Sequence, residues 1–271
     1  MTQAIRVPTV PDMTVTGPPR RAPLLSGRTS RTRRAGWVAM VLLGLFITMY
    51  SLPYLSGNPD TFFDQQRLTY MAHLAPLMLH VGGAVVALSL GPWQFVRGLR
   101  SRWPLVHRLV GRVYVLAVLA TGVGGLLLAP TTHTGRLAGL AFALLAVGTL
   151  ASTAMAFVAI RRRQITRHQQ WMTRSYAFIF TGASFRLGLV LLPALGLSFD
   201  TAYVVSAWIA WPINLAVAEL LLRRRGRSSR RPASAHMPAA RRPTAEDVVA
   251  IRAAGSTPAR SHRLSPARAP K

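Results

Sequence analysis

The chain has no cysteine and only 7 Asp+Glu in 271 residues. Without cysteine there is no disulfide, no thiolate-bound metal, no iron–sulfur ligation and no cysteine nucleophile. So few acids leave no carboxylate cage for calcium or magnesium. Also missing are a His-Glu-x-x-His run, a glycine-rich phosphate loop and a serine-centred elbow. Soluble-type hydrolase or nucleotide chemistry therefore has no residues to stand on.

What is present is positive charge and apolar length. There are 33 Lys+Arg, a formal net charge of +26, and 51% hydrophobic residues. Charge of this sign and size ordinarily points to nucleic acid. Here it is segregated: apolar runs of about twenty residues alternate with short arginine clusters, which is the pattern of a membrane protein. Six runs stand out, at 36–55, 70–95, 109–129, 137–160, 175–197 and 202–222. At 1.5 Å per residue each is long enough to cross a hydrocarbon core of about 30 Å. Backbone groups inside lipid must be satisfied within the segment, so each run is expected to be a helix. The predicted architecture is all-α: a polytopic bundle of six transmembrane helices. Loops are short, so successive helices should be antiparallel neighbours.

Arginine bias sets the expected orientation. Arginines crowd before the first run (Arg20 to Arg34), between the second and third (Arg97 to Arg112), between the fourth and fifth (Arg161 to Arg174), and after the sixth (Arg223 to Arg231). The other side carries only Arg67 and Arg136, with Asp60, Asp64 and Asp200. Both termini are therefore expected in the cytoplasm and the bundle in the cytoplasmic membrane. The expected partner of the arginine clusters is the anionic head-group layer of the bilayer, not nucleic acid. The first run is too long for a secretory signal and no small-residue cleavage site follows it, so it reads as a signal anchor. Residues 1–35 and 223–271 lack any apolar period and read as disordered basic tails. Within the second tail, Thr244-Ala-Glu-Asp is placed to cap a short helix ending before Gly255.

Polar residues at membrane depth are costly, so each is a candidate site. Arg186 stands about 12 residues from the cytoplasmic end of the fifth run, roughly 18 Å deep. It requires an anion, a carbonyl cage or water; it serves either as a carbonyl-capping structural residue or as a clamp for an anionic or quinone-like carbonyl group. His80 is expected at similar depth, about 15 Å below the outer end of the second run. His73, seven residues earlier, would share its face, continued by Ala84, Ala87 and Gly91. Such a small-residue seam lets a backbone or a flat cofactor approach. His80 is either hydrogen-bonded to a neighbouring helix or a ligand or proton-relay group; His73, near the interface, favours the structural role.

On the cytoplasmic side, His107 and His168 each sit beside arginine and near an interfacial tryptophan. Two histidines at one depth on different helices are able to ligate one haem iron, with arginines for the propionates. Interfacial anchoring is the competing account. In the sixth run, Pro212 frees a backbone carbonyl. Asn214 either repairs that gap or bonds across helices. Glu219 either pairs with Arg223 one turn on, or relays protons, or partners an arginine of a cytoplasmic loop. His133, in the short outer loop before the fourth run, reads as a solvated histidine.

Several blocks resemble a known family. They are His80-Val-Gly-Gly through Gly91-Pro-Trp-Gln-Phe, His107-Arg-Leu-Val-Gly-Arg-Val-Tyr, His168-Gln-Gln-Trp-Met-Thr-Arg-Ser-Tyr, and Ala207-Trp-Ile-Ala-Trp-Pro-Ile-Asn-Leu-Ala-Val-Ala-Glu219. They look like the motifs of a bacterial membrane family, domain of unknown function 2306, over roughly residues 70–222. The resemblance implies a multi-helix membrane protein and brings no activity with it. The layout is also similar, more distantly, to six-helix proteins of the cytochrome b561 type. That likeness implies an inner haem pair at His107 and His168. An outer pair would require a histidine in the fourth run, and there is none.

Three functional readings stay open at this level: a redox protein binding haem b or quinone, a small-molecule binder or transporter built on Arg186 and His80, and a non-catalytic assembly partner.

Overall fold

A computed structural model of the chain describes residues 26–229. The remaining parts of the expected tails, with the short helix at Thr244, lie outside the described residues. Eight helices run in order: α1 (Ser26–Ser51), α2 (Arg67–Ala72), α3 (Leu74–Gln94), α4 (Arg97–Arg102), α5 (Pro104–Leu128), α6 (Arg136–Arg161), α7 (Ile165–Ala194) and α8 (Phe199–Ser229). Six of them are long and apolar enough to cross a membrane. A compact unit ends at Leu222.

The side-chain distribution is that of a bundle in lipid. Large apolar residues face outward: Phe46 is 65% exposed, Leu116 65% and Val190 68%. The interior is built instead from alanine, serine and threonine, including Ala87, Ala117, Ala141, Ala156, Ala183, Thr153 and Ser175. Between helices whose outer faces meet lipid, close packing and internal hydrogen bonds replace the hydrophobic effect as the cohesive force.

The closest contact is between α3 and α5. A Cβ on Gly83 would lie 2.5 Å from the Ala117 carbonyl oxygen, and one on Gly124 would lie 2.6 Å from the His80 backbone nitrogen. The two backbones therefore meet with no side chain between them. Gly91 makes room for the Tyr176 ring, whose hydroxyl donates to the Leu88 carbonyl at 3.3 Å. At the centre the fully buried Tyr114 hydroxyl meets Ser175 Oγ at 3.0 Å, and Ser175 meets Thr153 Oγ1 at 2.7 Å. This hydroxyl chain ties α5, α7 and α6 together.

Helix boundaries depart from the expected ones for identifiable reasons. α1 starts ten residues before 36, within the arginine-rich stretch expected to be disordered. α7 starts at Ile165, well before 175, because a helix continues through arginines that a hydropathy reading excludes. The run expected at 70–95 is broken at His73. Pro76 has no N–H to donate to Ala72, and its ring crowds that carbonyl, which favours a break there. His73 closes α2, its Nδ1 3.0 Å from the Thr69 carbonyl oxygen. It does not share a continuous helical face with His80, as the unbroken run had implied.

Candidate functional site

The connection from α1 to α3 is not a simple loop. It folds as single helical turns that carry Tyr54, Phe62 and Gln66 inward, at 7%, 4% and 3% exposure. Tyr70 packs edge to face on Tyr54 and Phe62, with centroids at 6.3 and 5.7 Å, and Tyr54 and Phe62 meet at a tilt, 5.5 Å apart. Desolvation raises the pKa of the Tyr70 phenol, on α2, so it stays protonated. Under this cap lies a cavity of about 210 Å³, to which all six long helices contribute.

Two of the sequence candidates, His80 and Arg186, line it. Counting from the ends of their helices, His80 is about 9 Å beyond Leu74 and Arg186 about 12 Å before Ala194. Each lies closer to its helix end than the sequence spans implied, because α3 begins after the break at His73 and α7 ends at Ala194.

The histidine is oriented from α5. His80 Nδ1 lies 2.9 Å from the Thr121 carbonyl oxygen and 3.3 Å from its Oγ1. A carbonyl only accepts, so Nδ1 carries the hydrogen and the neutral ring presents Nε2 as its lone-pair nitrogen. The arginine is mostly uncommitted. Nη1 donates to the Gly182 carbonyl one turn back, at 3.1 Å, while Nε is buried without a partner. No carboxylate neutralises it: the carboxylate contacts among the described residues join Arg67 to Asp60 and Asp64, His133 to Asp200, and Arg174 to Glu219. The guanidinium is within electrostatic reach of His80, Tyr54, Tyr70 and Tyr203, all cavity-lining. A cation with free N–H groups and an oriented imidazole thus line the same mostly apolar space.

Glu219 and Asn214 work across helices. Arg174 donates through Nε and Nη2 to both carboxylate oxygens of Glu219 at 2.5 and 3.1 Å. Its guanidinium also lies over the Trp171 ring, 4.7 Å from the centroid. Asn214 accepts from Ser184 at 3.0 Å and donates to Thr181 at 3.4 Å, so it joins α8 to α7.

His107 and His168 are within electrostatic reach of each other, and neither lines the cavity. His168 Nδ1 meets the Ala156 carbonyl at 2.9 Å, while His107 Nδ1 is buried without a partner. Among the described residues no group of three or more His, Asp or Glu is placed to hold a metal ion.

His133 is not the solvated loop residue expected. Its side chain is 18% exposed, with Nε2 3.2 Å from Asp200 Oδ1 and its ring stacked on Phe199. Thr121, Gln66 and Tyr203 escaped the sequence reading. A lone threonine in an apolar helix carries no mark of the histidine it will hold, and Gln66 lies in a connection without any period.

The membrane-protein motifs now have their geometry. A family model described as predicted membrane protein, DUF2306, matches residues 77–222. The chain belongs to this family. The matched stretch holds His80, Thr121, Arg186 and Tyr203, whereas the cap residues Tyr54, Gln66 and Tyr70 precede it. No curated protein and no solved structure matches the chain.

Proposed function

We propose that this DUF2306 protein is a membrane-embedded small-molecule binder whose cavity holds an anionic or carbonyl-bearing ligand on Arg186. The observation that carries the reading is the guanidinium itself: inside a transmembrane bundle it has no carboxylate partner among the described residues, one backbone bond, and a buried Nε with none. An unneutralised, partly buried cation within a membrane-spanning helix is expensive to maintain without a function. Arginine is also the side chain best suited to a planar acceptor, since its N–H groups form a rigid fork.

Size supports a small ligand. An engineered cavity of about 150 Å³ takes benzene, so about 210 Å³ suits one substituted ring or a short carboxylate. It is small for a four-ring macrocycle, and His107 and His168, the pair proposed for a haem iron, do not line it. The haem alternative has no comparable support.

By the positive-inside rule, the helix ends bearing Arg97 to Arg112 and Arg161 to Arg174 face the cytoplasm, against anionic head groups. The capped end of the cavity then lies toward the outer leaflet of the cytoplasmic membrane.

The test is thermal unfolding of the full chain in mild detergent with benzoate and short-chain carboxylates. A ligand that binds only the folded state raises the midpoint with concentration. The expected result is a saturable rise that disappears in Arg186→Gln. An equal rise in that variant, or none with any carboxylate, overturns the reading.

A further inference from the structure

The inference rests on the Arg186 site just proposed and concerns what else its ligand must carry. Arg186 offers only donors, so it selects an acceptor oxygen. His80 offers the opposite. Its Nδ1 hydrogen is spent on the Thr121 carbonyl at 2.9 Å, and the ring makes no other hydrogen bond among the described residues beyond the Thr121 hydroxyl. In the neutral ring Nε2 is therefore an acceptor, and only a donor satisfies it. The two cavity-lining groups demand different partners. The same cavity has an aromatic wall: Phe142, Phe185 and Tyr203 meet edge to face, with centroids 5.4, 5.6 and 5.1 Å apart. Aromatic edges and faces of this kind favour a flat ring over an aliphatic chain.

We infer that the ligand is a hydroxylated single-ring aromatic with a second oxygen, the acceptor oxygen held on Arg186 and the hydroxyl donating to His80 Nε2. A quinone supplies two acceptors and leaves His80 unanswered, whereas its hydroquinone supplies the missing donor. The class therefore includes the free anion of a hydroxybenzoic acid and the head group of a reduced membrane quinol.

Binding to the purified full chain in detergent separates these cases. The probes are 4-hydroxybenzoate, benzoate and 4-fluorobenzoate, then a short-tailed 1,4-hydroquinone and its quinone. The expected result is that 4-hydroxybenzoate binds about tenfold more tightly than the two benzoates lacking a donor, the effect of one well-placed hydrogen bond. His80→Phe should abolish that preference and leave benzoate binding intact. The wild-type comparison stands even where the variant does not fold. Tighter binding of the hydroquinone than of 4-hydroxybenzoate, with discrimination against the quinone, supports the class and assigns the ligand to the membrane. The reverse order supports it and assigns a free anion. Equal affinity for all three benzoates, provided Arg186→Gln still abolishes it, overturns this inference and leaves the anion site standing. No binding of any probe overturns both.

Discussion

Arg174 on α7 and Glu219 on α8 form a two-pronged ion pair, with Nε and Nη2 each meeting one carboxylate oxygen. The side chains are 23% and 34% exposed. The pair is thus neither a surface contact worth a few tenths of a kcal/mol nor a fully dry one. Glu219→Ala leaves a partly buried guanidinium without its counter-charge, and should cost about 1–3 kcal/mol, between those limits. Unfolding in detergent reads the loss. The charge-swapped double variant, Arg174→Glu with Glu219→Arg, should recover most of it. A double variant no better than the sum of the singles would show that the pair does not join these helices.

Neighbouring glycines make a sharper test of the packing. A Cβ at Gly83 would lie within 2.6 Å of two α5 backbone atoms, whereas one at Gly82 would meet only Leu55 Cδ2, at 3.8 Å. Gly83→Ala should force α3 and α5 apart and cost about 1–3 kcal/mol, the usual scale of overpacking. Gly82→Ala should be neutral or slightly stabilising, since alanine is the better helix former. Parallel unfolding curves for the two variants check this, and equal effects would exclude the backbone contact.

How much of this was legible in the sequence follows from what each feature depends on. The spans were legible because lipid imposes length and hydropathy on the residues themselves. Arg186 and His80 were legible because a polar residue stands out in an apolar run. The start of α7 was hidden, because the arginines before 175 lower the hydropathy without ending the helix. The break at His73 had a visible signal in Pro76. Glu219 had Arg223 one turn on and the arginines of the cytoplasmic loops as possible partners, and only the packing of α7 against α8 selects Arg174. Thr121 was invisible for the same reason: its role is to present a backbone carbonyl, which every residue owns.

The His133 clasp invites a comparison of charge with aromatic packing. His133 meets Asp200 at 3.2 Å, but Asp200 is 71% exposed, so the pair is worth about 1 kcal/mol or less. Phe199 touches the rings of Phe63, His133 and Tyr203, with centroids 6.3, 6.2 and 6.1 Å away. Phe199→Ala should therefore destabilise by about 1–3 kcal/mol, below the value for a fully buried phenylalanine. Asp200→Asn should move the unfolding midpoint less than half as far. A larger effect from Asp200→Asn would make the His133–Asp200 contact, not the rings, the element that fastens this loop to α8.

The last prediction sets function against stability at one residue. Arg186 is held in the bundle with a buried Nε that has no partner. A group retained for a ligand is commonly a burden to the empty protein. Arg186→Met keeps an unbranched apolar stem and removes the charge, so the ligand-free protein should unfold at a higher temperature than wild type. The same variant should show no rise with benzoate. Arg186→Lys keeps a charge but loses the planar fork, so it should retain neither the wild-type affinity nor the gain in stability. Thermal unfolding of the three proteins, each with and without benzoate, reads both effects at once. If Arg186→Met lowers the ligand-free midpoint, the guanidinium is a structural cap on the α7 backbone, and its contact with Gly182 is its purpose.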